Sequence, residues 1–261
     1  MQINSSSAGF FNKTEQTANK LNQQLATGKK VNSAADDAAA LQIINRLTSQ
    51  QEGYNQSVRN AYDGISLSQT ADSALSGVGD AVSRIRELSI QAGSGALTDS
   101  DRQALQDEVS QLQTQITETF ENTTFGGKAI FNGEDTSFQV GPDANTTQSV
   151  NASDGSFANA ILSVDISTQA GAQAAITAAD DVSESLNSQR AEFGAFENTL
   201  SSTIRSLGTQ QSNIAESQSR IQDTDYAQAA SQQIANDILS QASIALRGQA
   251  NQSASSVLGL L

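Results

Sequence analysis

A heptad repeat of small and apolar side chains is the feature that most restricts the fold of this chain. These side chains recur at alternating steps of four and three, at Ala71, Leu75, Val78, Val82, Ile85, Ser89 and Ala92. That spacing places them along one face of an α-helix and is typical of a seam between paired helices. The 261 residues include one proline, so little in the sequence interrupts a long helix.

The same pattern continues upstream, less strictly, through Leu41, Ile44, Val58, Ala61 and Ile65. It predicts one long helix over residues 34–92, which begins at an N-cap on Ser33 with Asp36 three residues later. Glycines within a helix weaken it. We therefore expect bends at Gly53, Gly64, Gly77 and Gly79.

Four further helices are predicted from spacing and from capping residues. A helix over 99–121 follows the N-cap Thr98, and a second long helix covers 172–222. Asp225, with Gln228, caps a last helix. A thin amphipathic helix covers residues 1–30 and is broken by Gly28.

The middle of the chain has β-type runs between glycine, asparagine and aspartate turns, from about residue 124 to 166. Residues 143–156 are predicted as an exposed loop, and residues 161–166 as one more strand. The predicted fold is therefore mainly α: long antiparallel heptad helices form a rod-like bundle with a small β-hairpin region in the middle of the chain.

The two chain ends carry only thin apolar stripes, and short, weakly apolar helices are marginal in water. We expect these stripes to fold against copies of the same chain. The self-assembly residues predicted on this basis are Leu21, Leu25, Ile234, Ile238, Leu246, Leu258 and Leu261. Residues 1–33 and 223–261 are then two parts of one helical domain, and residues 34–222 form a second domain.

Composition and charge exclude several function classes. The chain has no cysteine and no histidine, which removes thiol chemistry, the usual general base and the commonest transition-metal ligand. Its net charge of −14 argues against a nucleic-acid partner. The carboxylate pairs near helix starts, such as Asp99 with Asp101, are interpreted as helix caps, and Asp180 with Asp181 as part of a solvated helix face. We expect no catalytic site, no metal and no cofactor.

No apolar run approaches the roughly 20 residues that span a bilayer, so no membrane association is expected. The N-terminus has no basic region followed by an apolar run, and a cleavable secretory signal is not expected. The chain is predicted to be cytoplasmic, or exported by a route that leaves the sequence intact.

Several segments resemble the signatures of bacterial flagellins, and together the likeness covers nearly the whole chain. They are LATGKKVNSAADDAAA at 25–40, RNAYDGIS at 59–66, RIRELSIQA at 84–92, TFGGK at 124–128, QVG at 139–141, SRIQDTDYA at 219–227, and QANQ at 249–252 with LGLL at 258–261. The variable outer domains of larger flagellins are absent.

The resemblance implies a structural subunit of the flagellar filament, with the chain ends in the inner core and residues 34–222 in the next shell. It also implies an extracellular location, reached through the flagellar type III export apparatus with an export chaperone. Further implied partners are the filament cap and the hook-associated proteins.

One stripe on the first long helix lies off the main seam. The resemblance implies that Arg84, Leu88 and Gln91, with Glu108 on the next helix, contact neighbouring subunits and the innate receptor of animal hosts. Arg84, Leu88 and Glu108 are expected to form one exposed patch in the free monomer. Burial of Leu88 by a neighbouring helix is the alternative.

Three other functions are alternatives to a filament subunit. A hook–filament junction protein would share much of the pattern but form no long filament. A filament-borne metalloprotease would need a His-Glu-x-x-His insert, and the chain has no histidine. A coiled-coil adaptor would form an oligomer of fixed size.

Overall fold

The computed structural model describes residues 3–151 and 154–258 and is mainly helical, as predicted. The α-helices are α1 (Ile3–Thr27), α2 (Ala38–Ala92), α3 (Asp99–Asn122), α4 (Asn159–Leu162), α5 (Gln169–Gln222) and α6 (Tyr226–Leu258). The strands are β1 (Thr124–Phe125), β2 (Lys128–Ala129), β3 (Asp135–Gln139) and β4 (Thr147–Asn151).

The start of α2 differs from the prediction. Asp37, and not Ser33, caps the helix: its Oδ1 accepts the backbone N–H of Ala40 at 2.9 Å. Ser33 instead belongs to a turn that Asp36 closes, because Asp36 Oδ2 accepts the Ser33 N–H at 3.1 Å. The Ser33 N-cap prediction is therefore wrong. From Ala38 onward, α2 runs through all four of its glycines without a break in the helix.

The other two predicted caps are confirmed. Thr98 and Asp101 form a reciprocal capping box at the start of α3. Asp225 Oδ1 accepts the N–H groups of Ala227 and Gln228 at 3.0 and 3.1 Å at the start of α6.

The chain divides into two compact units. The terminal unit contains the described parts of Met1–Gln51 and Gln211–Leu261, and the middle unit is Glu52–Gln210. The limits of the units fall inside α2 and α5, whereas the sequence analysis placed its boundaries at 33/34 and 222/223.

In the middle unit, α2 runs antiparallel to both α3 and α5. The residue numbers of the contacting partners increase along α5 as they decrease along α2. Arg86 pairs with Asp180, and Asp72 pairs with Arg190, each at 2.7 Å. The heptad seam faces this core, since all seven seam residues are at most 1% exposed. Facing side chains come from the other two helices, among them Val109, Ile116, Leu186, Phe193 and Leu200.

The strands form two small antiparallel pairs, β1 with β2 and β3 with β4. Phe138 of β3 lies close to Gly64 of α2, where an added Cβ would approach the Phe138 ring to 3.3 Å and Leu200 Cδ1 to 2.7 Å. A side chain at Gly64 would therefore force Leu200 and Phe138 to shift, which would disturb the packing of β3 on α2.

Two predictions within the β-region are wrong. Residues 143–156 contain β4 and are not all loop, because residues 147–151 pair with β3. Residues 161–166 are not a strand, because side chains of α3 bind their backbone. Gln113 Nε2 donates to the carbonyls of Ile161 and Val164 at 3.0 Å, and the Ile166 N–H donates to Gln106 Oε1 at 2.7 Å.

Candidate self-association surface

The two terminal helices, α1 and α6, pair antiparallel within the terminal unit. A short backbone bridge joins their near ends: the Lys30 N–H donates to the Gln222 carbonyl at 2.6 Å, and the Thr224 N–H donates to the Gly28 carbonyl at 2.9 Å. Gly28 has φ 69°, a left-handed conformation that suits glycine at the end of α1. Farther along, Asn236 Nδ2 of α6 donates to the Thr14 carbonyl of α1 at 3.1 Å.

The face of α6 that meets α1 is mostly polar. Its buried or half-buried side chains recur at heptad steps, at Ala229, Gln233, Asn236, Ser240 and Ser243. The corresponding residues of α1 are Thr14, Ala18, Leu21 and Leu25. The Oε1 atom of Gln233 is buried without a hydrogen-bond partner, which is unfavourable. The pairing of α1 with α6 is therefore not driven by the apolar side chains of α6.

Those apolar side chains point away from α1. Six large ones are between 51% and 70% exposed: Tyr226, Ile234, Ile238, Leu239, Ile244 and Leu246. At about 100° per residue, they occupy the back of α6 and both of its flanks. A helix with apolar residues on its back and on both flanks presents more apolar surface than one neighbouring helix covers. We call these six residues the α6 apolar surface.

The predicted self-assembly residues fall into three groups. Leu21 is buried and Leu25 half-buried, each on the α6-facing side of α1. Ile234, Ile238 and Leu246 are exposed on the α6 apolar surface. Leu261 and the side chain of Leu258 lie outside the described part of the chain. Tyr226, Leu239 and Ile244 were not predicted, because the apolar spacing was interpreted as one stripe and α6 is apolar on its back and both flanks.

A second cluster lies in the middle unit around Arg84. Its Nε donates to Glu108 Oε1 at 2.8 Å, which joins α2 to α3, and its Nη1 donates to Glu87 Oε2 at 2.7 Å. Glu108, and then Glu87, raise the pKa of Arg84 above its ordinary value. Gln91 is exposed near the end of α2.

Leu88 is the exception in that cluster. It is only 1% exposed within the single chain, so the prediction of an exposed apolar patch member is wrong. The reason is the position of α3: Leu88 follows Arg84 by one turn, on the side where Arg84 reaches Glu108. A different apolar residue of α2, Ile90, is 52% exposed.

The net charge is divided unequally between the two units. The terminal unit contains seven basic and seven acidic residues, whereas the middle unit contains seven basic and 21 acidic residues. The whole net charge of −14 therefore belongs to the middle unit. Copies can approach through their terminal units without net electrostatic repulsion between those units.

The described part of the chain was also searched for metal sites and for membrane-spanning helices. Within residues 3–151 and 154–258, no group of three or more acidic, histidine or cysteine side chains is arranged to hold a metal ion. In the same part of the chain, no helix is both long enough and apolar enough to cross a membrane.

Comparison with known proteins places these features in a family. Residues 2–136 match the bacterial flagellin N-terminal helical region, and residues 176–261 match the bacterial flagellin C-terminal helical region. A flagellin of Bacillus subtilis is 35% identical over 276 residues, which cover 92% of this chain and 91% of the relative.

Solved structures agree with this match. The crystal structure of Bacillus cereus flagellin has a TM-score of 0.53 at 28% identity, and the alignment covers 61% of this chain and 94% of that one. A Vibrio parahaemolyticus structure described as flagellar hook-associated has a TM-score of 0.63 at 16% identity, covering 72% of this chain and 100% of that one. The second likeness concerns the fold alone.

Proposed function

Since this chain belongs to the bacterial flagellin family, we propose that it assembles with copies of itself into the helical flagellar filament that drives swimming motility. The family is one of structural proteins and implies a filament subunit without enzymatic activity.

The α6 apolar surface is the observation that carries the proposal. Its Leu and Ile side chains are still 51–70% exposed, so burial of the rest of each one contributes about 1–2 kcal/mol. A closed two-fold dimer brings one neighbouring copy to α6 and leaves other sides of the helix in water. Neighbours on the back and on both flanks fit heterologous contacts, which generate either a closed ring or an open helical filament. Membership of the flagellin family favours the filament. In this filament the terminal helices form the inner core, and the middle unit forms the next shell.

Substitutions on the back of α6 test this proposal. We expect Ile234→Ser combined with Ile238→Ser to abolish sedimentable polymer while leaving the helix content of the middle unit unchanged in circular dichroism. The matched control, Gln232→Ser with Gln241→Ser, alters exposed polar positions of the same helix and should polymerise as the wild type does. Normal filaments from the Ile234/Ile238 variant would overturn the proposal.

The same preparation distinguishes a filament subunit from a hook–filament junction protein. Negative-stain electron microscopy of the polymerised wild-type chain should show long filaments. Short rings, or no polymer at all under conditions that polymerise other flagellins, would favour the junction protein.

We propose an extracellular location and the export partners on the basis of family membership. The chain would bind a flagellar export chaperone, pass through the type III export apparatus, and meet the filament cap and the hook-associated proteins. In a strain without the export apparatus, immunoblots should find the chain inside the cell and not in the medium. Its appearance in the medium of that strain would contradict this route.

We propose further that the innate receptor of animal hosts binds the exposed cluster of Arg84, Gln91 and Glu108, without a direct contact from Leu88. Arg84→Ala should weaken receptor activation by the monomer. The control is Arg86→Ala, because Arg86 is similarly exposed on α2 but pairs with Asp180 on the other neighbouring helix. Equal activation by both variants and the wild type would remove this assignment.

A further inference from the structure

In the terminal unit, α6 packs against α1 through its polar face, and self-assembly alone does not explain this choice of face. Leu21 and Leu25 of α1 offer apolar surface, and α6 carries Ile234 and Ile238 on its back. A rotation of α6 about its axis would bury those two side chains against α1. The structure instead places Gln233 and Asn236 there, although Gln233 Oε1 finds no hydrogen-bond partner.

We propose that Asn236 selects the face of α6 that pairs with α1, and thereby keeps the α6 apolar surface free for other copies. Asn236 is 8% exposed, and its Nδ2 donates to the Thr14 carbonyl across the interface at 3.1 Å. Ile234 and Ile238 lie about 160° from Asn236, one in each direction around the helix. The two faces therefore cannot both meet α1.

The surroundings of Thr14 make this hydrogen bond specific to one arrangement. Thr14 has a short side chain, which leaves its carbonyl within reach of the amide, whereas the bulkier Leu21 lies two turns along the same face. Buried polar side chains in coiled coils are known to fix one arrangement at the expense of stability. Asn236 performs this role between two segments of the same chain.

The backbone bridge at the near end of the helix pair is the alternative explanation for which face of α6 meets α1. The backbone bridge from Gly28 and Lys30 to Gln222 and Thr224 restrains where α6 starts. It does not contact the middle of α6, where rotation would exchange the faces. The test must therefore report which face of α6 meets α1 near Ala18, which lies one turn from Thr14 and nearly three turns from the bridge.

Introduced disulfides provide that report, because the chain has no native cysteine. Ala18→Cys with Gln233→Cys reports the polar face, and Ala18→Cys with Ser231→Cys reports the side of Ile234 and Ile238. Both pairs are made in the full-length chain, oxidised, and quantified by mass spectrometry after mixing with isotope-labelled chains, which separates links within a chain from links between chains.

With Asn236 present, we expect the 18–233 link to exceed the 18–231 link at least tenfold. Asn236→Ala should lower that ratio at least tenfold, and Asn236→Asp should act in the same direction because it lacks the N–H donor. Gln241→Ala, at an exposed position of α6, is the control and should leave the ratio unchanged.

An unchanged ratio in both Asn236 variants would overturn the inference and assign face selection to the backbone bridge. Loss of both links would overturn it as well, because Asn236 would then hold the helices together and not choose between faces. The inference concerns pairing within one chain, and it goes beyond the proposed assembly. Filament formation is scored separately by microscopy, so a failure to polymerise leaves the disulfide result interpretable.

Discussion

Arg102 on α3 donates from Nε to the carbonyl of Ala92, the last residue of α2, at 3.0 Å. Its other two guanidinium nitrogens donate to the carbonyls of Leu97 and Ser94 at 2.8 and 3.0 Å. Although it is charged, Arg102 is only 7% exposed. One side chain thus satisfies three carbonyls at the end of α2 and in the turn to α3, where the helix dipole favours a positive charge.

Replacement of Arg102 by lysine should therefore destabilise the middle unit. Lysine keeps the charge but cannot reach three carbonyls in the planar geometry of a guanidinium. We expect the free energy of unfolding to fall by about 1–3 kcal/mol, measured by urea denaturation followed by circular dichroism. Arg205→Lys, at an exposed position of α5, should change it by less than about 0.5 kcal/mol. Equal stability of the two variants would show that the turn does not depend on Arg102.

Gln233→Met should strengthen the pairing of α1 with α6. Methionine has a similar length and removes the buried Oε1 atom that has no partner, an arrangement that costs about 1–3 kcal/mol. Amide hydrogen exchange of α1 in the full-length chain should slow in this variant. Faster exchange would mean that the hydrogen bond from Gln233 Nε2 to Asp237 Oδ1, at 3.2 Å, matters more than the buried oxygen.

Acid should loosen the turn between α1 and α2. Lys20, followed by the backbone N–H groups of Asn32 and Ser33, lowers the pKa of Asp36 below its ordinary value. A carboxyl whose pKa is lower in the folded than in the unfolded chain stabilises the fold above its unfolded pKa. It loses that contribution as the pH falls below about 4 toward the folded pKa.

Hydrogen exchange of residues 29–37 at pH 7 and pH 3, corrected for intrinsic rates, measures this effect. Protection should fall at pH 3 in the wild type. Asp36→Asn should show reduced protection at both pH values and a smaller pH dependence. A wild-type turn that is equally protected at both pH values would contradict the role given to Asp36.

Salt should favour polymerisation. The middle unit carries the whole net charge of −14, and copies in an array bring these units together. Raising the ionic strength from about 0.1 M to 1 M shortens the screening length from about 10 Å to about 3 Å, which weakens that repulsion. The concentration of chain left unsedimented at equilibrium should therefore fall as NaCl is added. A rise would mean that ion pairs, and not the α6 apolar surface, dominate the contacts.

The long helices were predictable because their patterns are local. The seam from Ala71 to Ala92, the Thr98 capping box and the Asp225 cap each follow from side chains within a few residues of one another. Predictions failed where distant residues decide the structure. Gln106 and Gln113 of α3 bind three backbone groups between Ile161 and Ile166. Leu88 is buried on the side of α2 where Arg84 reaches Glu108 of α3. Neither α3 neighbour is visible in the local sequence.

The surface of α6 was predicted only in part for a related reason. Sequence spacing identified Ile234, Ile238 and Leu246 as apolar positions, but a single stripe is the usual expectation for a helix packed on one neighbour. The face that α6 turns to its own partner depends on Asn236 and Thr14, which are 222 residues apart. Only the paired helices show that the large apolar residues of α6 face away from α1.

The most direct test of this account is electron microscopy of the purified full-length chain beside a chain that lacks residues 235–261, both under polymerising conditions. The account predicts long helical filaments from the full-length chain and a soluble monomer from the truncated one, because most of the α6 apolar surface is removed. Filaments from the truncated chain, or only discrete oligomers of fixed size from the full-length chain, would contradict it.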